Sequence, residues 1–169
     1  MDADDPVEKA RRNWVRAGHP DESGFVVLVS MLRSYGILVR ELEAALRPVG
    51  VTLSRLEVLL LLSFSRDRRL PTMRLGDLLM IRGSSATYLV DKLADQGLVE
   101  RHADPADRRV SIVALTAEGE RRLEEGVRAL AGAGFGPIGA MGEDDRRALA
   151  DQLAVLRGAG APAIGTAAE

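Results

Sequence analysis

The segment from Ser23 to about Arg47 constrains the fold more than any other, because its apolar residues recur at alternating spacings of three and four. Such spacing puts them on one face of an α-helix and makes three heptad repeats. The seam residues are Phe25, Leu28, Leu32, Tyr35, Val39, Leu42 and Leu46. A second apolar stripe consists of Val27, Met31 and Leu38. The pattern leaves two alternatives open: a central core helix, or a helix shared with a second subunit.

Composition narrows the function classes. A chain of 169 residues suits one folded unit, and its lack of cysteine excludes disulfides, thiol nucleophiles and cysteine-based zinc sites. No apolar run approaches the ~20 residues of a membrane span, and the first residues do not resemble a signal peptide. The net charge of -2 argues against unspecific binding to nucleic acid. We therefore expect a cytoplasmic protein without a membrane partner.

Helix and strand signals follow one another in a definite order. Helices are predicted over 5–17, 23–47, 53–65, 72–81 and 84–96, strands over 98–102 and 110–115, and helices over 117–130 and 143–157. Thr72 and Thr116 are predicted N-caps, and Gly97 is a predicted helix stop. The tail, residues 158–169, is expected to be disordered. Two short helices around a glycine-containing turn, followed by a hairpin, indicate a winged helix-turn-helix.

The second short helix carries polar side chains opposite its apolar stripe. They are small hydroxyls first and larger donors afterwards: Ser84, Ser85, Thr87, Tyr88 and Lys92. A recognition helix reads base edges with its first turns, and its N-terminal amides favour phosphate. An ordinary solvated helix face is the alternative, and Asp91 and Asp95 favour it. This helix alone leaves both interpretations open.

No catalytic or metal-binding motif in the sequence is complete. Gly134–Gly139 matches G-x-G-x-x-G, but a helix precedes it and Pro137 interrupts it, so a joint between two helices is the better interpretation. His19 and His102 lack a metal-ligand spacing. No nucleophile, base and oxyanion hole are assembled. We expect no cofactor, no metal and no enzyme activity.

The turn between the two predicted strands, HADPADRRV, crowds two acids and two arginines around a proline. With this turn, the chain resembles the MarR family of winged-helix transcription regulators. The matching stretches are LSRLEVLLLL, SSATYLVDKLADQGLVER and above all HADPADRRVSIVALTAEG. The resemblance covers about residues 24 to 157.

The resemblance implies a mainly α (α+β) fold. A winged helix-turn-helix lobe over 51–116 would bind double-stranded DNA, and helices within 1–50 and 117–157 would intertwine in a homodimer. The helix over 84–96 would enter a major groove, and Arg109 of the wing, held by Asp107, would enter the minor groove. Further basic residues are candidates for phosphate contacts. The candidate DNA-binding residues are thus Arg74, Arg82, Ser84, Ser85, Thr87, Tyr88, Lys92, Asp107, Arg108 and Arg109.

A small-molecule effector is a further expectation, because many members are released from DNA by an aromatic or phenolic acid. Trp14 on the first helix resembles the urate-responsive subgroup, and the candidate ligand residues are Trp14, Tyr35 and Glu57. That subgroup has an Asp at the position of Glu57 and an Arg at that of Leu89. Glu57 also fits a capping box with Ser54, and Trp14 also fits a packing anchor.

The glycine-rich segment 132–139 departs from the long helix usual in the family, which predicts a bend in the dimer interface. The resemblance thus implies a homodimeric repressor of a pseudo-palindromic operator. Two rival classes stay open: a protein that binds a partner protein or has lost DNA recognition, and a protein that mainly binds a small molecule.

Overall fold

The computed structural model describes residues 4–160, and within them seven α-helices accompany one small antiparallel sheet. The helices are α1 (Pro6–Arg16), α2 (Glu22–Leu46), α3 (Leu53–Phe64), α4 (Thr72–Leu78), α5 (Gly83–Asp95), α6 (Ala117–Gly132) and α7 (Glu143–Gly160). The strands are β1 (Arg69–Pro71), β2 (Val99–Ala103) and β3 (Ser111–Leu115), with β3 in the middle. This mainly helical fold with a helix-turn-helix and a hairpin confirms the predicted fold class.

The core of the lobe lies around α3, which is apolar nearly all round as predicted. Its completely buried leucines pack with side chains from α4, α5 and the sheet: Leu75, Val90, Leu93, Val99 and Val113. Thr52 caps the helix by accepting a hydrogen bond from the Arg55 amide at 3.4 Å. The predicted capping box of Ser54 and Glu57 is wrong, because α3 begins at Leu53 and both residues lie inside the helix.

The prediction for α4 is wrong at its N-cap and at its C-terminal end. Pro71 occupies the N-cap position, and the Thr72 hydroxyl instead donates to the Ser111 carbonyl at 3.2 Å. The helix ends at Leu78 rather than at residue 81, because Met80 adopts a φ of +54° that a helix cannot continue. The segment between the predicted helices 53–65 and 72–81 also contains a strand, since Arg69–Pro71 pairs with β3.

The start of α6 is fastened to the end of α5. Thr116 caps α6 as predicted, accepting from the Gly119 amide at 3.0 Å, and its hydroxyl donates to the Gly97 carbonyl at 2.8 Å. Gly97, with a φ of +69°, lies just beyond α5 and agrees with the predicted stop. At Gly119 an added Cβ would lie 2.0 Å from the Leu98 carbonyl oxygen, so this contact requires glycine.

The outer helices leave apolar side chains uncovered within one chain. On α2, these include Val27, Leu28, Met31, Leu32, Tyr35 and Ile37. On α7 they are Leu149, Val155 and Leu156. The face predicted from the heptad spacing therefore exists. The described part of this chain buries its C-terminal end at Leu46 but leaves Leu28, Leu32 and Tyr35 exposed.

A tight glycine joint separates α6 from α7, as predicted for this segment. Gly134 and Gly136 have positive φ angles, and the Cα of Gly139 lies 3.2 Å from where a Cβ on Gly134 would be. Whether the joint bends a dimer interface stays a prediction. Helix α7 continues to Gly160, so the expected disorder is wrong for residues 158–160. The rest of the predicted tail, 161–169, lies outside the described residues.

Candidate nucleic-acid interface

Helix α5 presents a polar face beside a buried one. Its buried side chains are Ala86, Val90 and Leu93, which share the predicted inner stripe. Ser84, Ser85 and Tyr88 are exposed, whereas Thr87 is half-buried. Arg82 is exposed at the N-cap position and makes no side-chain cap. The first two turns of α5 therefore expose hydroxyl groups and leave room for a partner's polar atoms.

Lys92 is less free than the sequence suggested. Its Nζ lies 5.9 Å from the centroid of the Tyr88 ring and 3.4 Å from a carboxylate oxygen of Asp95. Tyr88 and Asp95 are both on α5, so the Lys92 ammonium group lies along the surface of that helix. Beside it, a shallow groove between α3 and α5 is lined by Ser54, Ile81, Ser84, Ser85, Tyr88 and Leu89.

The loop between β2 and β3 is shaped by its own acids and backbone. Asp104 accepts a hydrogen bond from the Ala106 amide at 2.8 Å, an Asx-type turn at Pro105. The Asp104 amide donates to the Val110 carbonyl at 3.0 Å, and the Val110 amide donates to the Asp107 carbonyl at 2.9 Å. These bonds close the tip of the hairpin without help from the rest of the lobe.

Arg109 is held at this tip by Asp107. Its backbone amide and its Nε donate to Asp107 Oδ1 at 3.0 and 3.1 Å, and its Nη2 donates to Oδ2 at 3.2 Å. These bonds from Arg109 lower the pKa of the Asp107 carboxyl. The Arg109 side chain is nevertheless 91% exposed. A two-pronged pair of this kind fixes the guanidinium plane while leaving most of the group facing solvent.

The predicted DNA-binding residues thus fall into two groups. One group lies on the helix-turn-helix. It includes Arg74, which is exposed on α4, and helix α4 packs against α5. The other is the wing tip, where Arg108 and Arg109 are both exposed. Hairpin and helix are adjacent in the fold because β2 also packs against α5.

Sequence reasoning missed Arg101, which joins the two groups. Its Nη1 forms an ion pair with Asp91 of α5, and its Nε donates to the Ser111 hydroxyl of β3 at 3.2 Å. One signal could have revealed it. Strand alternation places residue 101 on the same face as apolar Val99, at the rim of the core, although residue 101 itself is exposed.

Comparison with known proteins agrees with this geometry. The sequence model of the MarR family matches residues 49–110. Sco5413 from Streptomyces coelicolor, a MarR family transcriptional regulator, is 32% identical with a TM-score of 0.75, over 80% of this chain and 94% of that one. The chain belongs to the MarR family. Since this is a family of transcriptional regulators, the prediction that the chain is not an enzyme is confirmed.

Two further relatives extend the comparison within the MarR family. The HTH-type transcriptional regulator MhqR of Bacillus subtilis is 30% identical over 98 residues, which are 58% of this chain and 66% of MhqR. The matched stretch thus spans just under two thirds of MhqR, and about half of two other regulators of Bacillus subtilis. Sco3205 of Streptomyces coelicolor, solved in complex with DNA, shares the fold with a TM-score of 0.71 at 24% identity, over 85% of this chain and 91% of that one.

The candidate ligand residues of this MarR family member lie on three different helices, α1, α2 and α3. Trp14 stacks on Phe25 with ring centroids 4.1 Å apart, and its Nε1 donates to the Pro20 carbonyl at 2.9 Å. Tyr35 is exposed on α2, ten residues or about 15 Å beyond Phe25. Glu57 lies on α3, where partial burial raises its pKa. These contacts support Trp14 as a packing anchor, and an effector stays a prediction.

Two further findings concern residues 4–160. No helix among them combines the length and the apolar character needed to cross a membrane. Nor do histidine and acidic side chains in this range gather into a group of three or more that could hold a metal ion.

Proposed function

We propose that the chain is a cytoplasmic, homodimeric repressor that binds a pseudo-palindromic DNA operator. Helix α5 of each subunit enters a major groove, and Arg109 enters the adjoining minor groove. The observation that carries this proposal is Arg109 itself: a fully charged group, oriented by Asp107, and 91% exposed at the tip of a hairpin. Repression is what resemblance to the MarR family implies.

A held arginine suits a minor groove for a physical reason. A narrow minor groove concentrates negative potential, which attracts an inserted guanidinium. Because Asp107 already limits the rotamers of Arg109, less side-chain freedom is lost when the complex forms. Asp107 therefore favours DNA binding by orienting Arg109, even though the negative charge of Asp107 repels the phosphates.

The face of α5 supplies a different kind of contact. The exposed hydroxyls of Ser84, Ser85 and Tyr88 can donate to or accept from base edges in a major groove. Half-buried Thr87 lies beside them. The charged residues around this face carry no base information but can neutralise phosphates and set the register: Arg74, Arg82, Lys92 and Arg108.

The uncovered apolar faces of α2 and α7 support the dimer. Contiguous exposed apolar surface on a soluble chain marks an interaction site, and heptad-spaced residues on α2 suit another helix. A second copy offers the same surface, as a two-fold interface requires. Two lobes related by a two-fold axis would read half-sites about 10 bp apart.

Arg109→Ala tests the proposal. We expect it to weaken binding to DNA from the region upstream of the gene by about 5- to 150-fold, equivalent to ~1–3 kcal/mol. Fluorescence anisotropy at fixed salt measures the change. Arg121→Ala is the matched control, since it also removes one exposed guanidinium paired with a carboxylate, but on α6. Equal affinity for Arg109→Ala and wild type, or an affinity independent of salt, contradicts the proposal.

A further inference from the structure

We propose that Arg101 is a positioning residue for DNA binding, which fixes the wing relative to the recognition helix. The inference rests on the proposed function. It assigns Arg101 no contact with DNA: its part is to hold the two DNA-contacting elements at one relative orientation. The same inference explains the presence of Asp91, an acidic residue on the helix that would face the phosphates.

Arg101 contacts both neighbouring elements with one guanidinium. Its Nη1 pairs with Asp91 on α5, while its Nε donates to the hydroxyl of Ser111 on β3 at 3.2 Å. Ser111 lies two residues after Arg109, at the point where the wing loop enters the strand. A planar guanidinium has donors in fixed directions, so both contacts constrain it together. Helix, strand and wing base are thus connected through a single side chain.

The sheet register explains why Arg101 shares a face with core residues. Arg101 is directly opposite Val113, which is completely buried, and both residues therefore lie on the face that packs toward the core. Along β2, Val99 lies on this same face and is also buried. Arg101 extends this face beyond the apolar core, to the edge where α5 passes. Its charge is paired there with Asp91, and the Arg101 side chain stays 36% exposed.

The two acidic residues of α5, Asp91 and Asp95, differ in the location of their ion-pair partners. Asp95 pairs with Lys92 on its own helix at 3.4 Å, so that pair links nothing beyond α5. Asp91 pairs with a residue of another element. Removing either carboxylate takes one negative charge from the same helix face, and simple electrostatics predicts tighter DNA binding in both cases. A positioning role predicts the opposite sign for Asp91 alone.

Comparing Asp91→Asn with Asp95→Asn in the full-length protein is the decisive experiment. We expect Asp91→Asn to weaken operator binding by roughly two- to fivefold, the range of one exposed ion pair. Asp95→Asn should leave binding unchanged or tighten it. If Asp91→Asn tightens binding instead, Arg101 is a phosphate contact freed from its partner, and the inference is wrong.

A double-mutant cycle separates positioning from general loss of structure. In the Arg109→Ala background the wing contact is already missing, so Asp91→Asn should cost much less than in wild type. An equal cost in both backgrounds would overturn the link to the wing. Circular dichroism melting and light scattering check that fold and assembly are retained. Should Arg109→Ala itself have no effect, the proposed function fails; should it weaken binding while Asp91→Asn tightens it, only the role of Arg101 fails.

Discussion

Leu62 of α3 and Leu32 of α2 belong to apolar helix faces of similar appearance in the sequence, yet their surroundings differ completely. Leu62 is 0% exposed in the core of the lobe, whereas Leu32 is 63% exposed on the outer helix. The core of the lobe is buried within one chain, whereas the outer helices keep apolar side chains exposed. Periodicity thus shows which face of a helix is apolar but not which molecule covers that face.

The largest effect is expected where the lobe is most completely buried. Leu62→Ala should lower the free energy of unfolding by about 2–5 kcal/mol, because it leaves a cavity among fixed neighbours. Chemical denaturation followed by circular dichroism measures this loss. Met73→Ala is the control, since Met73 is exposed on α4 of the same lobe and should stay within ~0.5 kcal/mol of wild type. Similar losses for both variants would mean that the lobe core is not closed.

Leu32→Glu tests the other side of the comparison. We expect the dimer dissociation constant to rise about 30-fold or more, since a charge would enter an apolar interface, while the lobe stays folded. Analytical ultracentrifugation over a concentration series gives this constant. Met73→Glu also puts this charge in place of an exposed apolar side chain, but on α4 outside the dimerisation helices, and should change the constant little. A monomeric wild-type protein would contradict the dimer at once.

The smallest effect concerns Glu57, whose partial burial raises its pKa above the usual 4.5. A raised carboxyl pKa means that the folded state disfavours the charge, so the cost is present at neutral pH and disappears below about pH 4.5. Glu57→Gln should therefore raise the melting temperature slightly at pH 7, with no difference from wild type near pH 4. Glu124→Gln, on α6, is the exposed control. A gain that persists at pH 4 would rule out the titration as its cause.

The element order could be predicted because long periodic stretches, glycine stops and a threonine cap act locally. Strand β1 could not, because three residues with one apolar side chain carry no period, and only pairing with β3 makes them a strand. The N-cap of α4 was misassigned for the same reason. Thr72 has the chemistry of a cap, but the neighbouring strand takes its hydroxyl.

The candidate interface was predictable in part. The polar face of α5 follows from helix geometry, while the link between Asp107 and Arg109 came from the family resemblance and is seen as three hydrogen bonds. Arg101 was missed since its partners, Asp91 and Ser111, are each ten residues away along the chain. Trp14 allowed two interpretations until its stacking on Phe25 favoured the packing anchor.

The contacts between the start of α6 and the end of α5 influence the distance between the two lobes of a dimer. Thr116 bonds to Gly97, and the Cα of Gly119 lies so close to the Leu98 carbonyl that no side chain fits between them. In the proposed dimer, α6 would also belong to the dimerisation helices, so a rotation of these helices could not be absorbed at this joint. The recognition helix would have to move with them. The distance between half-sites would then be set by how two subunits join, and a ligand that altered the junction could change the operator spacing without touching the lobes.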